Sequence, residues 1–482
     1  MNKSLKKNIT YNIVSQTVAL LVPLIVTPYI ARVFNAELLG AYGYAYANSS
    51  YFVLLECLGF PLYGQIRISV DRDDINQRSA VFWEITLLKI VFMILCLALY
   101  FFIVILNTDG MVFRLSVIMT LNIVSNGIDT TWILNGLEDF KAVAIRNVLI
   151  RGINILLIFL LVKKENDIYT YAVIMQIATL VAFIMLIPRT LTYVKRVPTK
   201  SIKIKKHIKP AGVYFIPSLV TTIFSSTDKT MLGFFSNKYE VGVYEQANKL
   251  VLICMGAVSA GSNVIMPRAA YLYSKVRTKN EEANRLVYIS FKFVLMITLP
   301  VVFGIIAIAD EFIPFFYGSG YDKSITLLII LCFNIVFISI ANLIGQQCLI
   351  AREKQKKYNI AIIISALINV ILNGLLVCLF QSTGVSIASV AANLVSIMLI
   401  LYMSKGEIDI SELFTEFWKY LLSSVVMCVI VIFLKKVWKF DLIKIIIQIG
   451  IGTVIYFVTL LCLKETFMNS FMRKIKSKVY QE

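Results

Sequence analysis

The chain has one histidine, His207, in 482 residues. Histidine is the commonest general acid–base and metal ligand, so its scarcity removes most of that chemistry. Cysteine is present but never in a C-x-x-C spacing. Cys57, Cys96, Cys254, Cys332, Cys348, Cys378, Cys428 and Cys462 all lie in apolar runs. That pattern suits core filling and predicts neither a zinc site nor a disulfide framework. No metal and no cofactor are expected. No cleavable leader is expected: Met1 to Lys7 is polar and basic, yet the apolar run behind it passes Pro28 without a small-residue cleavage site. The first apolar segment is therefore expected to stay as the first span. No loop is long enough to hold a soluble domain. These gaps argue against an enzyme. The Asp71-Arg-Asp73 pair, the nearest thing to a metal-binding turn, falls among Arg67, Arg72 and Arg78, where a solvated turn is expected. A polymerase would need a large external loop, and an acyltransferase a catalytic histidine.

What the chain has is apolar length. Hydrophobic residues make up 59% of it, and mean hydropathy is +0.79. Apolar runs of about 20 residues recur from end to end, each long enough to cross a bilayer core. About fourteen such segments can be placed, which predicts an all-α polytopic membrane protein. The net charge of +19 is sorted by side. With the N-terminus inside, roughly 32 basic residues fall on the cytoplasmic side and about 7 outside, which fixes the orientation with both termini cytoplasmic. The excess charge faces anionic headgroups and is not a nucleic-acid footprint. The longest basic stretch, Arg189 to Lys209, contains Pro198 and is flanked by Pro188 and Pro210; it reads as a linker attracted to anionic lipid.

The linker separates two similar halves. Gly40-Ala-Tyr42-Gly-Tyr-Ala45 and Gly242-Val-Tyr244-Glu-Gln-Ala247 share a G-x-Y-x-x-A landmark behind each half's first span. Leu134, Gly136, Glu138, Lys141 and Asn154 are matched in spacing by Leu349, Ala351, Glu353, Lys356 and Asn369. Six-span halves that begin on the same side make a parallel repeat. Transporters built this way place substrate between the halves. The expected division is 1–200 for one six-helix lobe, 201–406 for the second, and 407–482 for two further spans with a basic tail. Pro23 and Pro28 in the first span and Pro217 in the seventh occupy matching places and bend helices that would act as gates.

A family resemblance rests on longer runs. Asp228-Lys229-Thr-Met-Leu-Gly233 is followed by Glu311-Phe-Ile-Pro314-Phe-Phe-Tyr-Gly318-Ser-Gly320-Tyr321-Asp-Lys-Ser324. Gln347-Cys-Leu-Ile-Ala351-Arg-Glu353-Lys, Asn369, Asn373 and Gly384-Val-Ser-Ile-Ala388 complete the series. In order and spacing these resemble the polysaccharide repeat-unit flippases of the multidrug, oligosaccharidyl-lipid and polysaccharide exporter superfamily. The resemblance implies two six-helix lobes forming a V about a central cavity, plus two C-terminal helices. It also implies transfer of undecaprenyl-pyrophosphate-linked oligosaccharide across a bacterial plasma membrane by alternating access, for capsule or other surface polysaccharide, beside a polymerase. Lipid II and teichoic-acid precursor flippases, and ion-coupled multidrug exporters, share this superfamily and remain alternatives.

Such a substrate needs cations for its phosphates and polar or aromatic groups for its sugars. The candidate cavity cations are Arg32, Lys89, Arg151, Lys229 and Lys249. Arg32 has the alternative of snorkelling to the outer interface. Arg151 lies deeper, with Asp129 or Glu84 as its expected partner. Glu56, Asp129, Asp228 and Glu245 are candidates for Na+ or H+ coupling, or else counter-ions to neighbouring bases. Glu245 and Lys249, one turn apart, have the further option of pairing with each other.

Overall fold

The computed structural model describes residues 3–198, 203–275, 281–435, 442–466 and 468. The centre of the linker at 199–202 and most of the basic tail lie outside these residues. Among the described residues the chain is helical, and the one bridge between extended segments joins Lys405 and Ile408. The helices begin with α1 (Lys3–Val33), α2 (Ala36–Cys57), α3 (Phe60–Val70), α4 (Ile75–Ile103), α5 (Gly110–Gly127) and α6 (Thr131–Gly136). Next come α7 (Phe140–Leu161), α8 (Ile168–Ile184), α9 (Ile187–Leu191), α10 (Lys205–Thr222), α11 (Asp228–Phe235) and α12 (Lys238–Lys275). The series ends with α13 (Glu281–Tyr317), α14 (Lys323–Leu331), α15 (Phe333–Ile344), α16 (Gln355–Ser404), α17 (Ile410–Leu413), α18 (Phe417–Lys435) and α19 (Leu442–Cys462).

Ten of the described helical segments are long and apolar enough to cross a membrane. Gln381, at φ 51° and ψ −132°, kinks the 50-residue α16 into two arms. With α1, the α10–α11 pair and α12, the described helices follow the expected series of fourteen. Their outward faces carry Phe102, Leu156, Leu160, Leu379 and Phe433, all exposed. Such a surface is stable only in lipid, where helices also satisfy their own backbone groups. This is a multi-pass membrane protein.

The chain divides into two compact units, residues 1–245 and 246–482. In the first, Phe60, Ile68, Ile85, Leu88, Trp132 and Ile133 form a buried cluster at the junction of α3, α4 and α6. The linker is docked beside it. Trp83 Nε1 donates to the Lys195 carbonyl (2.9 Å), the Lys195 amide to Ser79 Oγ (2.8 Å), and the Lys203 amide to Glu84 Oε1 (2.7 Å). Arg189 pairs with Asp139 (2.7 Å) and Lys206 with Glu84 (2.8 Å), so part of the linker's charge is neutralised internally. α4 and the α6–α7 turn supply these partners, while Arg189 and Lys206 keep half of their side chains exposed.

The second repeated landmark has a conformational meaning. Glu138 and Glu353 both adopt φ 61°. The following amides, of Asp139 and Lys354, donate back to Leu134 (2.9 Å) and Leu349 (2.8 Å), as in a Schellman-type helix stop. In the second unit this turn is clamped by Glu407, which accepts from Arg352 and Lys354, while Arg352 Nη2 donates to Asn284 Oδ1 (2.6 Å). Burial pushes the Glu407 carboxyl up. The hydrogen bonds and charges of Lys354 and Arg352 outweigh that effect and hold it below the usual carboxylate range.

Candidate functional site

Two helix interruptions face each other in the first unit. α2 stops at Leu58 (φ 39°) and Gly59 (φ 78°), and α3 restarts with Pro61 in its first turn. Gly59 is needed for its left-handed backbone and for closeness: a Cβ there would lie 2.4 Å from the Ala211 carbonyl oxygen of α10. Opposite, α10 passes through a π-helical turn at Ile223–Thr227 before α11 begins. Pro217 lies one and a half turns earlier and leaves a backbone acceptor without its amide donor. Widened turns of this kind recur at functional sites.

Between the interruptions lies a cavity of about 480 Å³. Tyr46, Ser50, Cys57, Gly59 and Pro61 line one wall; Ser218, Thr222, Ser225, Ser226 and Lys229 line the other. The Lys229 ammonium stands 5.7 Å from the centre of the Tyr46 ring. Among the described residues no carboxylate pairs with it. The uncapped N-terminus of α3 also lies at the wall, adding partial positive charge. The site is therefore a hydroxyl-rich pocket with one cation.

Beyond Lys229 the two walls close into a seam. Tyr51 OH donates to Thr227 Oγ1 (3.1 Å), and Thr230 Oγ1 to Asn48 Oδ1 (3.1 Å). The Lys238 ammonium lies 3.5 Å from the centre of the Tyr44 ring. At the end of the seam the two landmark glycines meet reciprocally. A Cβ on Gly40 would lie 1.7 Å from the Lys238 carbonyl oxygen, and one on Gly242 would lie 1.8 Å from that of Ala36. Each glycine faces the carbonyl four residues before the other. The Glu245 carboxylate lies where a Cβ on Gly43 would project.

Residues 5–273 match the family described as polysaccharide biosynthesis protein. The chain belongs to that family. It is 24% identical over 413 residues to "Putative O-antigen transporter" of Escherichia coli (strain K12), covering 84% of this chain and 98% of the relative. It is 25% identical over 264 residues to "Probable low-salt glycan biosynthesis flippase Agl15" of Haloferax volcanii, covering 54% of this chain and 55% of the relative. Among solved structures, "Lipid II flippase MurJ, inward closed conformation" superposes with a TM-score of 0.68 at 20% identity, covering 96% of this chain and all of that one. An inward-facing multidrug resistance MATE family transporter of the MOP superfamily gives a TM-score of 0.63 at 18% identity, covering 81% and 94%. The polysaccharide flippase resemblance read from the motifs thus agrees with the family match, and these two structures share its fold.

Within this family member the candidate charges separate. Lys229 lines the cavity. Asp228, beside it, is buried and accepts from Tyr244 OH, tying α11 to α12. Lys89 is 1% exposed and donates to the Asp129 carbonyl at 2.7 Å, so its ammonium caps the end of α5 and does not line this cavity. The Asp129 carboxylate accepts from the Thr131 amide (2.7 Å). Glu84, the other partner expected for Arg151, binds Lys206 and His207 instead. Arg151 is half-buried on α7, and Arg32 is exposed in the last turn of α1, where it complements the helix dipole. Lys249 is half-buried on α12, in the second unit. Pro23 and Pro28 lie within α1 as placed from the sequence. Glu56 is wholly buried, with neither carboxylate oxygen hydrogen-bonded.

Two features escaped the sequence. Arg146, which reads as an ordinary base beside Lys141, is 8% exposed and stacks 5.4 Å from the centre of the Phe183 ring. His207, inside the basic stretch read as a linker, is buried between Tyr63 OH (2.8 Å) and Glu84 (2.7 Å). Spacing alone held a signal for the second: Lys206 and His207 open an apolar helix, where a histidine can turn inward.

Proposed function

We propose that this protein carries undecaprenyl-pyrophosphate-linked oligosaccharide repeat units from the inner to the outer leaflet of a bacterial plasma membrane, as a transporter and not a catalyst. One observation carries the reading: the Lys229 ammonium, without a carboxylate partner among the described residues, in a wall of serine and threonine hydroxyls. A pyrophosphate moving through hydrocarbon needs a fixed positive charge, and sugars need hydroxyls and an aromatic face such as Tyr46. A cavity meant for cationic drugs would instead present acids. The names of the relatives, an O-antigen transporter and a glycan flippase, favour the same substrate class. In this reading the lobes 1–200 and 201–406 alternate access, with α1 and α10 bending at Pro23, Pro28 and Pro217. We assign proton coupling to Glu56, both of whose carboxylate oxygens lack a hydrogen-bond donor, whereas Asp129 and Asp228 have donors and Glu245 lacks one on Oε2 only.

The test compares Lys229→Gln with Lys229→Arg at matched membrane levels, following outward transfer of lipid-linked oligosaccharide in reconstituted vesicles. Gln should reduce transfer at least tenfold, the worth of about 1.4 kcal/mol, and Arg should restore most of it. Equal transfer by wild type and the Gln variant would remove Lys229 from the site. Offering lipid II to the same vesicles separates the two precursor classes.

A further inference from the structure

A second cavity, of about 340 Å³, lies wholly in the second unit among α13, α18 and α19. Pro300, Gly304, Met427, Val431, Gly452 and Tyr456 give it apolar walls. One group breaks that character. Gln448 lines the cavity and is 1% exposed, and neither its Oε1 nor its Nε2 has a hydrogen-bond partner. The other polar wall groups are satisfied: Thr453 Oγ1 donates to the Ile449 carbonyl (2.7 Å) and Tyr456 OH to the Met296 carbonyl (2.8 Å).

An unpartnered buried amide is rare enough in folded proteins to call for an explanation. Water is a poor answer, because an ordered water needs two to four polar partners and the Thr453 and Tyr456 hydroxyls have already given their protons to backbone carbonyls, which leaves the amide as the wall's one group with free donors. The occupant must bring its own acceptor, an apolar body, and no net charge at this depth. Depth is set by Lys444, one turn away on α19, whose ammonium binds Glu311 (2.7 Å) and the Lys435 carbonyl (3.0 Å). The neighbouring pair of Lys435 with the exposed Asp310 extends this cluster to the surface, and the cluster is taken as the headgroup level at this end of the helices. Gln448 lies roughly 6 Å deeper, four residues along the helix. In a bilayer that is the level of the acyl esters, between charged headgroups and hydrocarbon. A polyprenyl chain has no hydrogen-bonding group to offer the amide, and its phosphate would be an unmatched charge there.

We propose that this cavity binds an ester-linked glycerolipid of the surrounding bilayer, with Gln448 Nε2 donating to an acyl ester carbonyl and the acyl chain lying along Gly452 and Tyr456. The lipid completes the packing of α19 and α18 against α13. This site is separate from the cavity at Lys229 and does not depend on the transport reading.

The experiment uses the full chain in lipid nanodiscs doped with phosphatidylglycerol carrying a photoactivatable acyl chain, in diester and diether forms. The diester probe should cross-link to α13 and α19 peptides about fivefold more than the diether probe, the worth of one hydrogen bond. In Gln448→Leu the two probes should label equally. Equal labelling of the unaltered chain by both forms overturns the proposal, as does preferential displacement of the diester probe by undecaprenyl phosphate. The ester-against-ether contrast on the unaltered chain keeps the test decisive even if the variant fails to fold.

Discussion

Replacing Gly40 with alanine asks whether the seam above the cavity is a gate or a fixed joint. The new Cβ would lie 1.7 Å from the Lys238 carbonyl oxygen and 2.7 Å from the Gly242 amide nitrogen. Both neighbours are backbone, so no rotamer change relieves the clash. The helices must move apart by on the order of 1 Å or more before ordinary van der Waals contact returns. Overpacking of this kind costs typically about 1–3 kcal/mol. In an alternating transporter that cost falls on the conformation with the seam closed, because parted helices leave the methyl free. About 2 kcal/mol moves the closed-to-open ratio roughly 30-fold toward open. Cys57 lines the cavity and serves as the reporter. With the other cysteines replaced, a membrane-impermeant maleimide added outside should label Cys57 several-fold faster in Gly40→Ala than in the parent. Gly242→Ala should behave alike, since its Cβ meets Ala36 in the same way at 1.8 Å. Gly152→Ala is the control, because nothing lies within 4 Å of its Cβ. Unchanged Cys57 labelling in both seam variants, at normal protein levels, would refute the gate.

The Glu407 clamp should be acid-labile. Its carboxyl sits below the ordinary range when folded, so its contribution is complete above about pH 5 and fades as pH falls through that lowered value. Glu407→Gln should lower the melting temperature at pH 7 and flatten the acid limb of its pH dependence; an unchanged limb would mean the clamp does not matter. Glu138→Gly and Glu353→Gly should each stabilise by about 1 kcal/mol, because both positions hold a left-handed backbone. The exposed 3.5 Å pair of Glu138 with Arg72 gives up little in exchange. A drop in melting temperature for either variant contradicts that account. Glu84→Ala strands His207, Lys206 and the Lys203 amide, and should cost about 3 kcal/mol, read as reduced thermal stability. Glu56→Gln should fold normally, since its carboxylate oxygens have no donors to lose, but transfer should no longer respond to a pH gradient; an intact response excludes Glu56 as the proton carrier.

The architecture could be read from the sequence because membrane folding leaves few options. Apolar runs of sufficient length must become helices, and basic residues must stay on one side, so span order and class follow from one-dimensional patterns. Burial is legible for charges inside apolar runs: Lys89 and Asp228 are both buried. Direction around the helix is not. Each residue advances about 100°, and a neighbour's position decides whether a buried lysine meets a cavity or a carbonyl. Lys89 meets the end of α5 and Lys229 meets open space, though both read alike in the chain. Proline is ambiguous in a related way. Pro61 lies inside an apolar run, where a proline ordinarily bends a helix, but the break lies just before it, at Leu58 and Gly59, and Pro61 sits in the first turn of the next helix.

The repeated G-x-Y-x-x-A landmark shows what a sequence repeat means physically. Read separately, Gly40 and Gly242 are two small residues near helix starts, each replaceable on its own terms. The structure sets them against each other, each facing the carbonyl four residues before its counterpart. A contact with that reciprocity is self-complementary: what one strand of the repeat requires, the other requires too, as across an isologous two-fold interface. The repeat is then more than a trace of duplication, since the contact itself needs a glycine on both sides. It follows that the two alanine variants should share one phenotype, and that the double variant should fall short of the sum, because the first methyl already parts the helices. Independent glycines would add. Full additivity in the Cys57 labelling rates would therefore dissolve the pairing, even if each single variant behaved as expected.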